Sequence, residues 1–352
     1  MVEIFRKIYE RMGDELSRRI YIDRLNYSIT QDACYLNEMV ERTVRHQGGI
    51  WKAFLSLLQE RSDAEELYLF GAGIWGRTLY EETKDRIAWK GVIDNRPDGK
   101  SMGNLDVMTL EQFKEVYDTN AVIVISSYKN GKEMAEQLQS ANIPLDKIVD
   151  AGEVIHRLTE GAIYFDLQEL EQGAAQEVFV DAGGFDGATC EGFMDWCGGN
   201  GYAYCFEADV SNIETARMRL AGYANCEIVP KALWSETTEL SMHMKGSCGS
   251  SVTTRQEGHD IQSIEAVALD DLLGDQSVTF IKMDIEGAES EALRGACRII
   301  REQHPKLAIS IYHKKEDIWT LPGLILEYYP DYKLYLRHYS FAHYDTVLYA
   351  VP

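Results

Sequence analysis

The chain has no run of about 18 apolar residues, the length a membrane-crossing helix needs, so no segment is expected to span a bilayer. Its first residues, MVEIFRKIYERMGDELSRR, are charged throughout and lack the apolar stretch of a signal peptide. It also lacks any Cys-x-x-Cys pair. The seven cysteines, an odd number, are Cys34, Cys190, Cys197, Cys205, Cys226, Cys248 and Cys297. That pattern argues against a disulfide framework or a zinc site and for reduced thiols in a cytoplasmic protein. Positive charge is scarce as well. Thirty-five Lys and Arg stand against 57 Asp and Glu, a formal net charge of −22. Nucleic-acid binding relies on cations at phosphates, and anionic membranes attract basic segments. Neither is an expected partner.

What is there is ample apolar material. A length of 352 residues, 45% hydrophobic, suits about two domains of ~100–200 residues each. Residues 1–62 are charged and helically periodic. One stripe is Ile4, Phe5, Ile8, Tyr9 and Met12; a second is Trp51, Phe54, Leu55 and Leu58. Such stripes serve a core or a dimer contact, so a homo-oligomer stays open. A strand is predicted at Glu66–Phe70, followed by Gly71-Ala-Gly-Ile-Trp-Gly76, a full G-x-G-x-x-G opening a helix. The next strand ends in Asp94, within Gly91-Val-Ile-Asp-Asn-Arg-Pro-Asp98, and a third covers Ala121–Ser126. This is a parallel β-α-β-α-β unit closing near residues 146–150. Residues 153–175 read as a helix and linker. The expected division is therefore 1–62 helical, 63–152 nucleotide-binding type, 153–175 linker and 176–352 a second α/β domain.

The second domain opens on Val178-Phe-Val-Asp-Ala-Gly-Gly-Phe-Asp-Gly187, and Tyr204-Cys-Phe-Glu207 follows. A strand ends in Asp181, a turn carries Gly183, Gly184 and Gly187, and a second strand ends in an acid. In a doubly wound sheet, ligands sit beyond the carboxyl ends of such strands. Glycines allow close approach of backbone to ligand, and Glu207 is placed to accept ribose hydroxyls. A carboxylate at Asp181 is unfavourable beside a pyrophosphate but suits a cofactor with a cationic head. S-adenosylmethionine, with its ammonium and sulfonium, fits better than NAD. Further strands are predicted at Cys226–Pro230, Ile264–Leu269, Val278–Met283, Leu307–Tyr312, Lys333–Leu336 and Thr346–Val351, the last antiparallel. Lys245-Gly-Ser-Cys-Gly-Ser-Ser251 reads as a loop.

Residues 176–352 resemble the FkbM family of S-adenosylmethionine-dependent methyltransferases. The matching stretches are Val180-Asp-Ala-Gly-Gly-Phe-Asp-Gly187, Phe206-Glu-Ala-Asp209, Ile281-Lys-Met-Asp-Ile-Glu-Gly-Ala-Glu289, Ser310-Ile-Tyr-His-Lys314 and Arg337-His-Tyr-Ser340. The residue pattern gives two Rossmann-like α/β domains, and the resemblance implies that the C-terminal one is a class I methyltransferase sheet with an antiparallel C-terminal hairpin. It implies O-methylation of a sugar or sugar-bearing small molecule, with S-adenosylmethionine as cofactor. Two departures stand out. Gly184-Phe185 replaces the family's Ala-Asn, and Phe206-Glu-Ala-Asp-Val replaces its Phe-Glu-Pro-Asp/Asn-Pro. Residues 63–150 resemble, through Leu69–Gly76 and Gly91–Pro97, the nucleotide-sugar-binding domain ahead of some sugar acyltransferases. The expected acceptor is thus a small molecule or glycan that can be nucleotide-linked.

Methyl transfer to oxygen needs in-line alignment of acceptor, methyl and sulfur, and a place for the hydroxyl proton. The expected cofactor set is Asp181, Gly183, Gly184, Asp186, Gly187, Glu207 and Asp284. The expected catalytic set is Asp284, Glu286 and His313, with His313 and Glu286 the leading bases and His338 in reserve. Lys282, Asp284 and Glu286 alternate, so an extended chain would point all three one way. Each acid has a plainer reading as a helix N-terminal residue, and each histidine one as a structural residue. Asp284 and Glu286 could hold a divalent cation, but without a clear third ligand no metal is assigned. In the first unit, Gly71, Gly73, Gly76 and Asp94 would cradle a nucleotide, or else form scaffold. Two rivals remain. One is an NAD(P)-dependent oxidoreductase or epimerase, for which no Tyr-x-x-x-Lys dyad is found after Ser126. The other is a non-catalytic nucleotide-sensing module.

Overall fold

The computed structural model describes residues 2–97, 101–159, 163–171, 176–243, 251–252 and 261–352. The chain divides into two compact units, residues 40–163 and residues 1–39 with 164–352.

The unit 40–163 is built on a five-stranded sheet. Its strands are β1 (Glu66–Phe70), β2 (Trp89–Ile93), β3 (Val107–Met108), β4 (Ala121–Ile125) and β5 (Ile148–Asp150). The order is β3-β2-β1-β4-β5, with every pairing parallel. All five residues of β4, Ala-Val-Ile-Val-Ile, are buried. A continuous β-branched run is what a strand covered on both faces requires. The helices at Ile74–Thr83, Leu110–Val116 and Gly131–Ser140 alternate with these strands. Phe113 and Leu138 join Phe70, Ile93, Ile123 and Ile125 in one core. Thr109 and Gln112 form a capping box that starts the second of these helices. The short β3 has too few residues to show a period of two, and the sequence pattern did not announce it. Asp98 of the predicted second strand region lies outside the described residues.

The other unit carries β6 (Glu177–Ala182), β7 (Gly201–Phe206), β8 (Cys226–Val229), β9 (Ala232–Leu233), β10 (Thr238–His243), β11 (Ser251–Val252), β12 (Ile261–Val267), β13 (Phe280–Met283), β14 (Lys306–Ser310), β15 (Lys333–His338) and β16 (Thr346–Val351). Seven form the main sheet, in the order β15-β16-β14-β13-β6-β7-β8. β16 runs antiparallel between β14 and β15, and the remaining pairings are parallel. This is the expected Rossmann-like sheet with its antiparallel C-terminal hairpin. A separate four-stranded sheet, β11-β10-β12-β9, was not foreseen beyond one strand near Ile264–Leu269. The Gly/Ser stretch from Lys245 falls almost wholly outside the described residues.

The domain division differs from the sequence-based one. Residues 1–62 do not form one segment. The helix Glu15–Thr30 is tied to the outer edge of the main sheet: Asp14 caps it and receives Arg337 at 2.7 Å, while Ser17 Oγ accepts the Leu336 N–H at 2.9 Å. An unpaired sheet edge exposes donors and acceptors that a covering helix can satisfy. Ile8, Met12, Ile20 and Tyr21 are buried in the same core as Leu334 and Leu336. The predicted linker 153–175 also divides. The helix Ala151–Thr159 lies in the unit 40–163, whereas Tyr164, Leu167 and Leu170 are buried in the other. Phe165 packs against Phe179, Phe193, Trp196 and Phe280, which pins this stretch to the sheet. Residues 160–162 and 172–175 lie outside the described residues.

Candidate functional site

The two glycine turns are built alike. In the methyltransferase-like sheet, the Gly183 and Gly184 N–H groups both donate to the Phe206 carbonyl, at 3.0 and 2.9 Å. Glu207 Oε2 accepts the Phe185 N–H at 2.9 Å and Oε1 accepts the Asp209 N–H at 2.7 Å. In the unit 40–163, Asp94 accepts the Ala72 and Arg96 N–H groups, each at 2.8 Å. The acid after the second strand thus clamps its own turn. Glu207 Oε1 also accepts from Asn212 Nδ2 at 3.5 Å, while Oε2, with one backbone donor, has a second lone pair that suits a ribose hydroxyl. Burial pushes the Glu207 carboxyl above its usual range, against the backbone donors that lower it.

The glycines of the second turn answer to different neighbours. A Cβ on Gly183, at φ +81°, would stand 2.0 Å from the Asp284 carbonyl oxygen. One on Gly184 would stand 2.2 Å from Cys205 Sγ, and one on Gly187 3.0 Å from Leu220. Gly184 is therefore a packing glycine, Gly187 holds a left-handed backbone at φ +82°, and Gly183 brings the turn directly against the end of β13. Phe185 holds a left-handed backbone at φ 46°. Asn tolerates that region better than Phe, which gives a physical reason for the asparagine in the family pattern. Asp186 accepts from Arg219 at 3.0 Å and from the Ala188 N–H at 3.1 Å, beside the start of the helix Ala188–Trp196.

Asp181 does not meet a cofactor's cationic head as the sequence suggested. It is fully buried, and Lys282 Nζ donates to its Oδ1 at 2.9 Å and to the Gly183 carbonyl at 2.9 Å. Burial raises the Asp181 carboxyl, and the Lys282 charge pulls it back down. Burial disfavours the Lys282 ammonium, but Asp181 and Asp284 outweigh it and keep the amine charged. The pair is an internal strut between β6 and β13 that supports the Gly183 turn.

The three expected catalytic residues do converge. His313 Nε2 lies 3.4 Å from Asp284 Oδ1 and 3.8 Å from Glu286 Oε2. The expected alternation does not bring this about. β13 ends at Met283, and the chain then turns, with Glu286 at φ 55° and Gly287 at φ 92°. A non-glycine residue in that region is strained by ~1–3 kcal/mol, and such strain clusters at functional sites. It leaves the Glu286 side chain one-third exposed, while Lys282 turns into the core.

Three further residues complete the cluster. The Tyr164 and Tyr312 hydroxyls donate to the two oxygens of Asp284, at 2.9 and 3.1 Å. Glu289 Oε1 lies 2.9 Å from His313 Nδ1 and accepts the Ile285 N–H. Tyr312 and Glu289 lie inside the quoted family stretches but carry no signal of their own. Tyr164 sits in the predicted linker and could not be found from spacing. Burial opposes the charged form of His313, but Glu289, Asp284 and Glu286 together raise it to about 9. With no cation bound, those acids favour the protonated imidazole, which has no lone pair for an acceptor proton, so Glu286 is better placed than His313 to act as base. His338 is not at hand either. It is buried, bonded through Nδ1 to Thr346, and burial lowers it to about 3.

The chain is similar to several known proteins. Residues 181–342 match the family described as Methyltransferase FkbM domain. Among solved structures, the chain is similar to methyltransferase FkbM from Methylobacillus flagellatus KT, with 21% identity over 91% of this chain and 100% of that one, at a TM-score of 0.49. It is similar to Aeropyrum pernix fibrillarin with natively bound S-adenosyl-L-methionine, at 10% identity over 52% and 70% of the two chains and a TM-score of 0.34. A SAM-dependent methyltransferase from Aquifex aeolicus aligns at 15% identity over 56% and 96%, with a TM-score of 0.32. No curated protein matches the chain. No helix among the described residues is long and apolar enough to cross a membrane.

Proposed function

We propose that this enzyme, an S-adenosylmethionine-dependent methyltransferase whose residues 181–342 form an FkbM domain, methylates a hydroxyl of a sugar or sugar-bearing small molecule. The observation that carries this is one contact. Gly183 of the cofactor turn packs on the carbonyl of Asp284, so the turn and the Asp284–Glu286–His313 cluster adjoin. An acceptor held at that cluster lies beside the transferable methyl. The acceptor oxygen takes the methyl from sulfur, leaving S-adenosylhomocysteine, and its proton passes to a carboxylate. Glu286 suits that role: it is the most exposed of the three, and its strained backbone projects it from the strand end. Asp284, held by two tyrosine hydroxyls, positions the cluster. The sugar acceptor is supported by the family resemblance and by the acidic charge, which disfavours nucleic acid.

The unit 40–163 is proposed to bind a nucleotide or nucleotide sugar at Gly71, Gly73, Gly76 and Asp94. A Cβ on Gly73 would meet nothing within 4 Å, so a larger side chain there fills only the space before the turn. The test uses labelled S-adenosylmethionine with a panel of nucleotide sugars and glycans. A methyl ether on a sugar hydroxyl is expected, with Gly73→Val losing nucleotide binding in thermal shift while keeping S-adenosylmethionine binding. Transfer only to nitrogen or carbon nucleophiles would overturn the acceptor class. The absence of any nucleotide-induced shift in the wild type would make the first turn scaffold.

A further inference from the structure

We infer that the cluster at the end of β13 is a divalent-cation site, with Asp284, Glu289 and His313 as its protein ligands. One ligand atom from each lies within 4.8 Å of the others. Glu286 stands at the rim, 3.8 Å from the imidazole. Three carboxylates thus surround one imidazole. Among the described residues, His313 is the ionisable base paired with Asp284 and Glu289.

A group of acids alone would not make a site. The second observation is that buried polar atoms here are left without a hydrogen bond. Glu289 is 1% exposed, and its Oε2 makes no hydrogen bond. The His313 side chain is 8% exposed, and neither ring nitrogen makes a well-angled hydrogen bond despite the 2.9 Å approach to Glu289. A buried carboxylate oxygen without a donor is destabilising, because water has been removed and nothing replaces it. Buried charges are normally paired or coordinate a metal. A cation among these groups would satisfy the Glu289 oxygen and the imidazole at once. The fold holds the ligands in advance. Asp284 is fixed by Tyr164 and Tyr312, and Glu289 by the Ile285 N–H. Outer contacts of this kind orient metal ligands and are worth about 10–100-fold in affinity.

The donor set indicates the kind of ion. One imidazole with carboxylates suits Mn²⁺ or Zn²⁺; Mg²⁺ and Ca²⁺ prefer oxygen alone. No thiol is present in the group. The inference goes beyond the proposed methylation. It is read without acceptor or cofactor, so its failure is distinct from failure of the sugar assignment.

The test is equilibrium binding to the full chain stripped with chelator. MnCl₂ is titrated by electron paramagnetic resonance, ZnCl₂ by calorimetry, and MgCl₂ serves as the weak comparison. One Mn²⁺ or Zn²⁺ per chain is expected, with affinity at least ten-fold above that for Mg²⁺. His313→Ala and Glu289→Gln should each weaken it at least ten-fold while circular dichroism stays native. If either fails to fold, Asp284→Asn, which keeps shape and loses charge, replaces it with the same expectation. No binding of Mn²⁺ or Zn²⁺ by folded wild type, or unchanged affinity in folded variants, would overturn the inference and leave a protonated His313 as the cation of the cluster.

Discussion

The buried pair of Lys282 and Asp181 gives the sharpest test of the site's construction. The side chains are 3% and 0% exposed, 2.9 Å apart, and Lys282 also donates to the Gly183 carbonyl. Removing one partner strands the other's charge in the core, which costs ~3–5 kcal/mol. Against a total stability of ~5–15 kcal/mol, that is large but measurable. Lys282→Met is expected to lose about that amount, and Asp181→Asn a comparable one. The double variant strands no charge, so it should recover part of the loss. Coupling near the upper end of the ~0.5–3 kcal/mol range is expected. Urea unfolding of the four proteins at pH 7 measures this cycle. S-adenosylmethionine affinity, by calorimetry, is the second reading. Asp181 has no exposed surface, so folded Asp181→Asn should bind the cofactor within a few-fold of wild type. Additive single losses would refute the strut. So would a stable Asp181→Asn protein with cofactor affinity reduced a hundred-fold, because Asp181 would then be touching the cofactor.

Glu207→Ala should weaken S-adenosylmethionine by ~1.5–3 kcal/mol, the range for a charged hydrogen-bond acceptor, and should also lower the melting temperature because it frees the Phe185 and Asp209 N–H groups; unchanged affinity in folded protein would remove it from the ribose site. His338 titrates near 3 when folded, first through burial and then through the Arg24 charge, against ~6.5 when unfolded. The neutral imidazole therefore contributes stability above pH 6.5 that is lost as pH falls from 6.5 toward 3. The ceiling is on the order of 4–5 kcal/mol at ~1.36 kcal/mol per unit. The urea-derived stability difference between wild type and His338→Gln should shrink across pH 7.5 to 4.5, and a constant difference would show that His338 does not carry this dependence.

Much of the sheet was legible from local chemistry. Ala121–Ile125 is an apolar run and Phe280–Met283 one interrupted by Lys282; both are ended by polar residues and turns, and both are buried strands. The glycine turns could be placed because Gly71 and Gly183, at φ +111° and +81°, occupy backbone that other residues rarely adopt. The acid after each second strand was also visible. Its spacing showed where it would stand, but not that it would clamp the turn through the N–H groups of Ala72 or Phe185. Partnership was beyond local reading, because charges and hydroxyls choose partners by proximity in space. Lys282 lies 101 residues from Asp181, and Tyr164 lies 120 from Asp284. The covering of β15 by the helix Glu15–Thr30 joins residues more than 300 positions apart. Sequence alone determined the two glycine-turn sheets and the resemblance of the second to FkbM methyltransferases. Tertiary packing decided that Asp181 is a strut and that His313 sits among Asp284, Glu286 and Glu289. Burial removes the water that would otherwise screen those charges, so their energies depend on neighbours that only the folded chain supplies.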